Sequence, residues 1–204
     1  MMALLSRLSS RRAVIGALFV IAAALPLSGC FEAVVGGAAV TGVLVGTDRR
    51  TADAQLGDER IGWTASLRIK ERFGDQVHVN VSNYNYLVLL TGEVPSAQAK
   101  ADIERLVSEI SAVKSVVNEL QVAGQTSLTS RGNDTYITGK VKAAFVNAGK
   151  FQANHVKVVT ENAVVYLLGM VTRKEADDAT EIARSTSGVT KVVRVFDYLA
   201  QAPK

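Results

Sequence analysis

The chain of 204 residues has a single cysteine, Cys30, and only two histidines, His78 and His155. One thiol cannot form an intramolecular disulfide, so no disulfide framework holds this fold together. The HExxH, GxSxG and P-loop motifs are all missing. Carboxylates at 104–109 and 175–181 fit solvated helix faces. We therefore expect no enzyme, no catalytic residue, no metal ligand and no cofactor.

The chain also lacks an apolar run long enough to cross a bilayer comfortably. Its most apolar segment, residues 13–25, follows a basic start with Arg7, Arg11 and Arg12. This layout is typical of a secretory signal rather than a membrane span. We predict that residues 1–29 are a signal peptide.

Residues 27–30 read Leu-Ser-Gly-Cys at the end of this signal. The sequence resembles the bacterial lipobox, in which the cysteine is acylated and the chain is cut just before it. The resemblance implies a lipid anchor at Cys30. Because Phe31 rather than Asp follows, it also implies sorting to the outer membrane, on the periplasmic face or at the cell surface. Residues 10–16 loosely resemble a twin-arginine signal, but nothing demands a preloaded cofactor, so ordinary export is favoured.

Positive charge is scarce once the signal peptide is removed. The full chain has 23 Lys and Arg against 19 Asp and Glu, and the three signal arginines leave 20 basic residues against 19 acidic ones. A net charge of +1 removes the main support for a nucleic-acid partner. No feature indicates a small-molecule substrate.

The rest of the chain contains one pattern twice. A Gly/Ala-rich tether (30–57) precedes the first copy (58–124), and a linker (125–132) separates it from the second copy (133–199), which a short tail (200–204) follows. The two histidines are 77 residues apart, and so are Gly92 and Gly169. The spacing falls to 76 for Val113 and Val189, which predicts a residue lost within the second helix or its exit. The repetition indicates two tandem domains.

Each copy reads helix–strand–strand–helix–strand. The first helices carry apolar stripes at i, i+4, i+8 spacing, Ile61-Ala65-Ile69 and Ile137-Val141-Phe145. Ser96 and Thr172 are the predicted N-caps of the second helices. The fold class is α+β, with a three-stranded mixed sheet covered by two helices in each unit. The other sheet face must be solvated or packed, and the partner copy is one candidate to cover it.

These strands carry recognisable motifs, LVLLTGEV…AVKSVV in the first copy and VVYLLGMV…GVTKVV in the second. They resemble the signature of the BON domain family, although Ala112 replaces the glycine that the family favours. A lipobox, a tether and two BON domains in this order resemble the dual-BON lipoproteins of Gram-negative bacteria associated with division and outer-membrane stress. That resemblance implies lipid binding and no enzymatic activity.

The second copy is the cationic one, with a net charge of +4 over 131–204 against −2 over 58–124. Its first helix has a second stripe that faces away from the apolar one. This stripe packs on the first unit or the linker, or it faces a membrane through an amphipathic tyrosine and lysines. Its residues are Tyr136, Gly139, Lys140 and Ala143, with Lys142 and Val146 nearby.

The family resemblance favours the membrane. It implies that the second BON unit binds anionic phospholipid, phosphatidylglycerol or cardiolipin, through its first helix, which begins with an aromatic residue. Tyr136 stands at that position, where tryptophan is usual. Trp63 lies at a different position in the first unit, so the site is not transferred there. We expect a lipoprotein that supports envelope integrity. The alternatives are a periplasmic interaction module for an envelope protein or protease, and a hydrolase or metal protein.

Overall fold

The computed structural model describes residues 48–201. The predicted signal peptide, Cys30 and the tether residues up to 47 lie outside the described residues. The described part contains four α-helices and seven strands. The order is helix–strand–strand–helix–strand–strand in the first unit and helix–strand–strand–helix–strand in the second. The α+β class and the two-unit organisation predicted from the repeats are confirmed.

In the first domain, β1 pairs antiparallel with β2, and β3 and β4 both pair parallel with β2. The predicted third strand is split into two short ones, so this sheet has four strands rather than three. Asn118 marks the break, since its Oδ1 accepts a hydrogen bond from Leu120 N at 3.2 Å. The bounds are α1 Ala52–Phe73, β1 His78–Tyr84, β2 Leu87–Val94, α2 Ala97–Ser108, β3 Ser115–Asn118 and β4 Gln121–Val122.

The second domain repeats this order with an unbroken last strand. The sheet has the order β5-β6-β7, with β5 antiparallel and β7 parallel to the central β6. The bounds are α3 Leu128–Ala148, β5 Lys157–Glu161, β6 Val164–Val171, α4 Arg173–Arg184 and β7 Lys191–Tyr198.

The two predicted apolar helix stripes form the cores under the sheets. Every residue of Ile61-Ala65-Ile69 and of Ile137-Val141-Phe145 is at most 4% exposed. Each stripe packs with its own second helix and with alternate residues of its own sheet. The N-caps Ser96 and Thr172 are also confirmed, because their side chains accept from Ala99 N and Glu175 N.

The opposite faces of the two sheets pack against each other. Leu89 points away from the helices of its own domain and meets Tyr166 and Leu168 of the second domain. This explains why β2 and β6 are apolar without alternation, since both faces of each strand are covered. The four layers are helices, sheet, sheet and helices, so the partner copy covers the open face. It follows that α1 and α3 lie on opposite outer sides of the molecule.

Two helices begin earlier than predicted. α1 begins at Ala52, before the predicted domain start at Asp58, and α3 begins at Leu128, inside the predicted linker (125–132). Thr51 and Ser127 cap these earlier starts, because their side-chain oxygens accept hydrogen bonds from Ala54 N and Ser130 N, three residues later. The first turns contribute few buried side chains, so apolar periodicity does not reveal them.

The end of the predicted tether is a structured contact rather than a loose polar segment. The Arg49 side chain is 8% exposed and donates to both Glu175 oxygens at 2.8 Å and to Met170 O at 2.9 Å. The adjacent Arg50 pairs with Asp58 in the first domain. The expectation that Glu175 lies on a solvated face is wrong, since its side chain is 15% exposed and is paired with Arg49. The Arg49 guanidinium lowers the pKa of Glu175 to about 2.

The change of spacing between the copies lies before the second helix, not within it or at its exit. α2 and α4 have the same length, and their N-caps are already 76 apart. β2 ends at Val94 and is followed by Pro95 and the cap Ser96, whereas β6 ends at Val171 and Thr172 follows directly. Pro95 is therefore the residue without an equivalent in the second copy.

Ala112 occupies a backbone conformation that favours glycine. Its φ is 75°, and its equivalent in the second copy, Gly188, has φ 94°. We expect Ala112→Gly to raise the free energy of unfolding by about 0.5–1 kcal/mol, because relief of left-handed strain exceeds the added freedom of the unfolded chain. Urea unfolding measures this. Gly188→Ala is the matched reverse change and should lower stability, and a neutral or destabilising Ala112→Gly would contradict the prediction.

The outer face of α3 as candidate functional site

The outer face of α3 presents an apolar stripe to solvent. Tyr136 is 66% exposed and Val146 is 68% exposed. A side chain at Gly139 would meet nothing within 4 Å, and Ala143 is also exposed. Tyr136 belongs to none of the described hydrophobic clusters. The alternative that its ring packs on the first unit or the linker is therefore wrong.

The first residue of this surface is not among those predicted from the sequence. Leu128 is 83% exposed and begins α3, within the predicted linker. At 100° per residue it lies on the same line as Val146, five turns earlier, and that spacing could have identified it. We call Leu128, Tyr136, Gly139, Ala143 and Val146 the α3 stripe. They span an arc of about 80° around the helix.

The two lysines named from sequence flank the α3 stripe on opposite sides. Lys142 is exposed. Lys140 is half-buried: its Nζ donates to the carbonyl and the hydroxyl of Ser187 and lies 4.8 Å from the centre of the Tyr136 ring. Lys140 therefore positions the tyrosine and ties α3 to the turn before β7. Its positive charge stays beside the stripe, but its ammonium is less available than that of an extended lysine.

A buried carboxylate holds α3 in place against its hairpin. Asp134 is 5% exposed, and its two oxygens accept from Asn162 N at 2.9 Å and Ala163 N at 2.8 Å. Both turn residues have positive φ, as expected for a two-residue hairpin turn. In the first domain, Asp58 makes the same pair of bonds to the turn. Asp134 faces inward, so Tyr136, two residues later, faces solvent.

α1 carries a different exposed apolar stripe. Leu56, Trp63 and Leu67 are 63%, 74% and 46% exposed and recur at a spacing of seven and then four residues. We call these three residues the α1 stripe. Because α1 and α3 lie on opposite sides of the four-layer molecule, the two stripes cannot both rest on one flat surface. Among the helices of the described residues, none is long and apolar enough to cross a membrane.

Comparisons with known proteins match both units to the BON domain, at residues 64–124 and 133–200. The chain is 38% identical to "Outer membrane lipoprotein DolP" of Haemophilus influenzae, over 85% of this chain and 90% of that protein. It is 30% identical to "21 kDa hemolysin" of Actinobacillus pleuropneumoniae, over 74% of this chain and 79% of that protein. Among solved structures, CdsD of the Chlamydia trachomatis type III secretion system matches 67% of this chain and 91% of that one, with 15% identity and a TM-score of 0.28. From the family match and the first relative, we conclude that the chain belongs to the BON domain family.

Proposed function

We propose that this protein is a non-enzymatic outer-membrane lipoprotein that binds anionic phospholipid through the outer face of α3 and supports envelope integrity. Acylated Cys30 anchors it on the periplasmic face. The observation that carries the lipid-binding proposal is the α3 stripe, whose apolar residues are flanked by Lys140 and Lys142. Asp134 is the one acidic residue of this helix, and it is buried and bonded to the hairpin. The location rests on the similarity to the outer-membrane relative and on the lipobox.

The chemistry of this face suits the headgroup region of a bilayer. A tyrosine ring has an apolar body and a polar hydroxyl, which favours the interface between headgroups and acyl chains. Each lysine near an anionic surface contributes about 1 kcal/mol, and this contribution falls as salt shortens the Debye length. Such weak binding is not needed for attachment, because buried acyl chains contribute about 0.8 kcal/mol per CH₂. The α3 stripe would instead orient the domains where phosphatidylglycerol or cardiolipin is abundant.

Vesicle co-sedimentation tests this proposal. We expect residues 48–204 to sediment with phosphatidylglycerol-containing vesicles at low salt, and less at high salt or with neutral vesicles. Tyr136→Glu should weaken this binding at least about tenfold, because it removes the interfacial ring and places a negative charge against anionic lipid. Both hydrophobic cores lie within this fragment, and thermal unfolding will show whether each variant is folded.

Trp63→Glu is the matched control for Tyr136→Glu. It makes the same kind of change at an exposed aromatic residue, on the opposite side of the molecule. We expect it to leave vesicle binding unchanged. Equal loss from both variants would indicate nonspecific attraction, and absence of binding by the unaltered fragment would overturn the lipid proposal.

The α1 stripe favours a second candidate function. If α3 rests on a membrane, α1 faces away from it and offers an exposed tryptophan to an envelope protein or periplasmic protease. In this alternative the protein is an interaction module and lipid contact is incidental. Crosslinking dominated by one protein partner, with no dependence on lipid, would favour it.

A further inference from the structure

Three potential metal ligands converge where the two domains meet. His78, Glu93 and Glu161 each offer one ligand atom, and these atoms all lie within 4.8 Å of one another. His78 and Glu93 are cross-strand partners in the first hairpin, with His78 Nδ1 and Glu93 Oε2 2.9 Å apart. Glu161 is the last residue of β5 in the second domain. The cluster is therefore assembled only when the two sheets pack against each other.

The two carboxylates of this cluster are deeply buried. Glu93 is 1% exposed and Glu161 is 6% exposed. Glu93 Oε2 also accepts a hydrogen bond from Thr126 N at 3.2 Å. Two close buried carboxylates are costly unless positive charge accompanies them.

A buried hydroxyl lies in the same region and has no hydrogen-bond partner within the described part of the chain. Thr91 is 1% exposed, and its Oγ1 is unpaired. It is two residues before Glu93 on β2, on the same face of the sheet, and it lies directly across from Asn80. Buried hydroxyls are normally bonded. This one is unpaired on the sheet face that also carries Glu93.

The side chains are already oriented by neighbouring hydrogen bonds. Asn80 Nδ2 donates to Glu161 Oε2 at 2.7 Å, and Asn162 Nδ2 donates to Glu93 Oε1 at 3.0 Å. Such supporting bonds are typical of metal ligands, whose orientation they fix. A cavity of about 230 Å³ lined by His78, Asn80 and Glu161 offers a path for entry.

The cluster is not a consequence of the repeat. In the second copy, His155 stands at the position of His78, and Met170 stands at the position of Glu93. In the first copy, Tyr84 stands at the position of Glu161. Only the histidine is shared. The site therefore differs from a joint site of the two histidines, which the sequence disfavours, because it combines one histidine with carboxylates from both domains.

We propose that His78, Glu93 and Glu161 bind a divalent transition-metal ion, with Zn²⁺ the best fit, and that this ion fastens the two domains together. One imidazole nitrogen and two carboxylate oxygens form a ligand set that Zn²⁺ accepts, with water as the fourth ligand. Small side-chain movements bring ligand atoms at this separation to bonding distance. The ion supplies the positive charge that the buried carboxylates need.

Zinc titration of the full chain tests this proposal. The protein is extracted in detergent, stripped with EDTA and titrated with Zn²⁺ alone by calorimetry and thermal unfolding. We expect one ion per chain and a higher unfolding temperature with zinc. Glu161→Gln should weaken zinc binding at least about tenfold, because a neutral amide is a poor ligand. Glu181→Gln removes an exposed carboxylate and should leave binding unchanged. Cys30 is present in the parent protein and in both variants, so any zinc that it binds does not affect the comparison.

Arg131 gives a second test that does not depend on the folding of Glu161→Gln. Arg131 lines the same cavity, and its Nε has no partner among the described residues. Its guanidinium repels a cation, so Arg131→Gln should tighten zinc binding. Zinc binding that is absent from the parent protein, or equally strong in folded Glu161→Gln, or weakened in Arg131→Gln, would overturn the proposal.

Discussion

A single methyl group at Gly92 is expected to destabilise the first domain strongly. A Cβ at this position would lie 2.1 Å from the backbone oxygen of His78, far inside van der Waals contact. Gly92 also has φ 113°, which side chains rarely adopt. β1 and β2 are hydrogen-bonded here, so the two backbones cannot separate without breaking the hairpin. We expect Gly92→Ala to lower the free energy of unfolding by about 3–5 kcal/mol, a large share of the stability of a small domain.

Urea unfolding followed by far-ultraviolet circular dichroism measures this effect, because it reports on the helices and strands of both domains. Gly132→Ala is the matched control, because a Cβ there meets nothing within 4 Å and alanine is the better helix former. It should be neutral or stabilising. An unchanged urea midpoint for Gly92→Ala would mean that the hairpin can open locally without cost.

Apolar periodicity predicted the helices and their buried faces because it reports which side chains a helix turns toward one surface. Ile61 and Ile137 begin such stripes, and both are buried where the pattern placed them. The same reasoning could not reveal the starts of α1 and α3. Their first turns are set by the caps Thr51 and Ser127, which act through local hydrogen bonds and leave no apolar period.

Residue spacing along the chain predicted the exposed side of α3 but not the contacts that form between domains. Tyr136 lies opposite the core stripe on the same helix, so its exposure follows from helix geometry. His78, Glu93 and Glu161 lie on three strands of two domains, and only the packing of the two sheets brings them together. Glu93 is replaced by Met170 in the second copy, so comparison of the repeats does not identify the cluster either.

Comparison of the repeats could have identified Asp58 and Asp134. Both precede the apolar stripe of a first helix by three residues, and they are 76 apart. Their shared role is now visible, since each carboxylate accepts two backbone N–H groups of its own hairpin turn. The turn residues have positive φ although none is glycine, and the two hydrogen bonds to the aspartate stabilise this conformation.

Removal of the Asp134 carboxylate is expected to cost the second domain about 3 kcal/mol. Asp134→Ala deletes two charge-assisted hydrogen bonds, to Asn162 N and Ala163 N, each of which contributes about 1.5–3 kcal/mol, and water at the turn replaces part of this. Asp134→Asn keeps one acceptor oxygen and should cost about half as much. Far-ultraviolet circular dichroism during urea unfolding measures the loss, and amide exchange at Asn162 and Ala163 should accelerate.

Asp177→Ala is the matched control for Asp134→Ala. Asp177 is 69% exposed and pairs with Arg194 at the surface, so its loss should cost less than about 1 kcal/mol. If Asp134→Ala is no more destabilising than Asp177→Ala, the turn holds its conformation without the carboxylate. The comparison also bears on the α3 stripe. Asp134 fixes the rotation of α3 through its two inward bonds, and Asp134→Asn keeps one of the two acceptor oxygens. The folded fraction of Asp134→Asn should therefore keep the salt-sensitive vesicle binding that we expect Tyr136→Glu to lose.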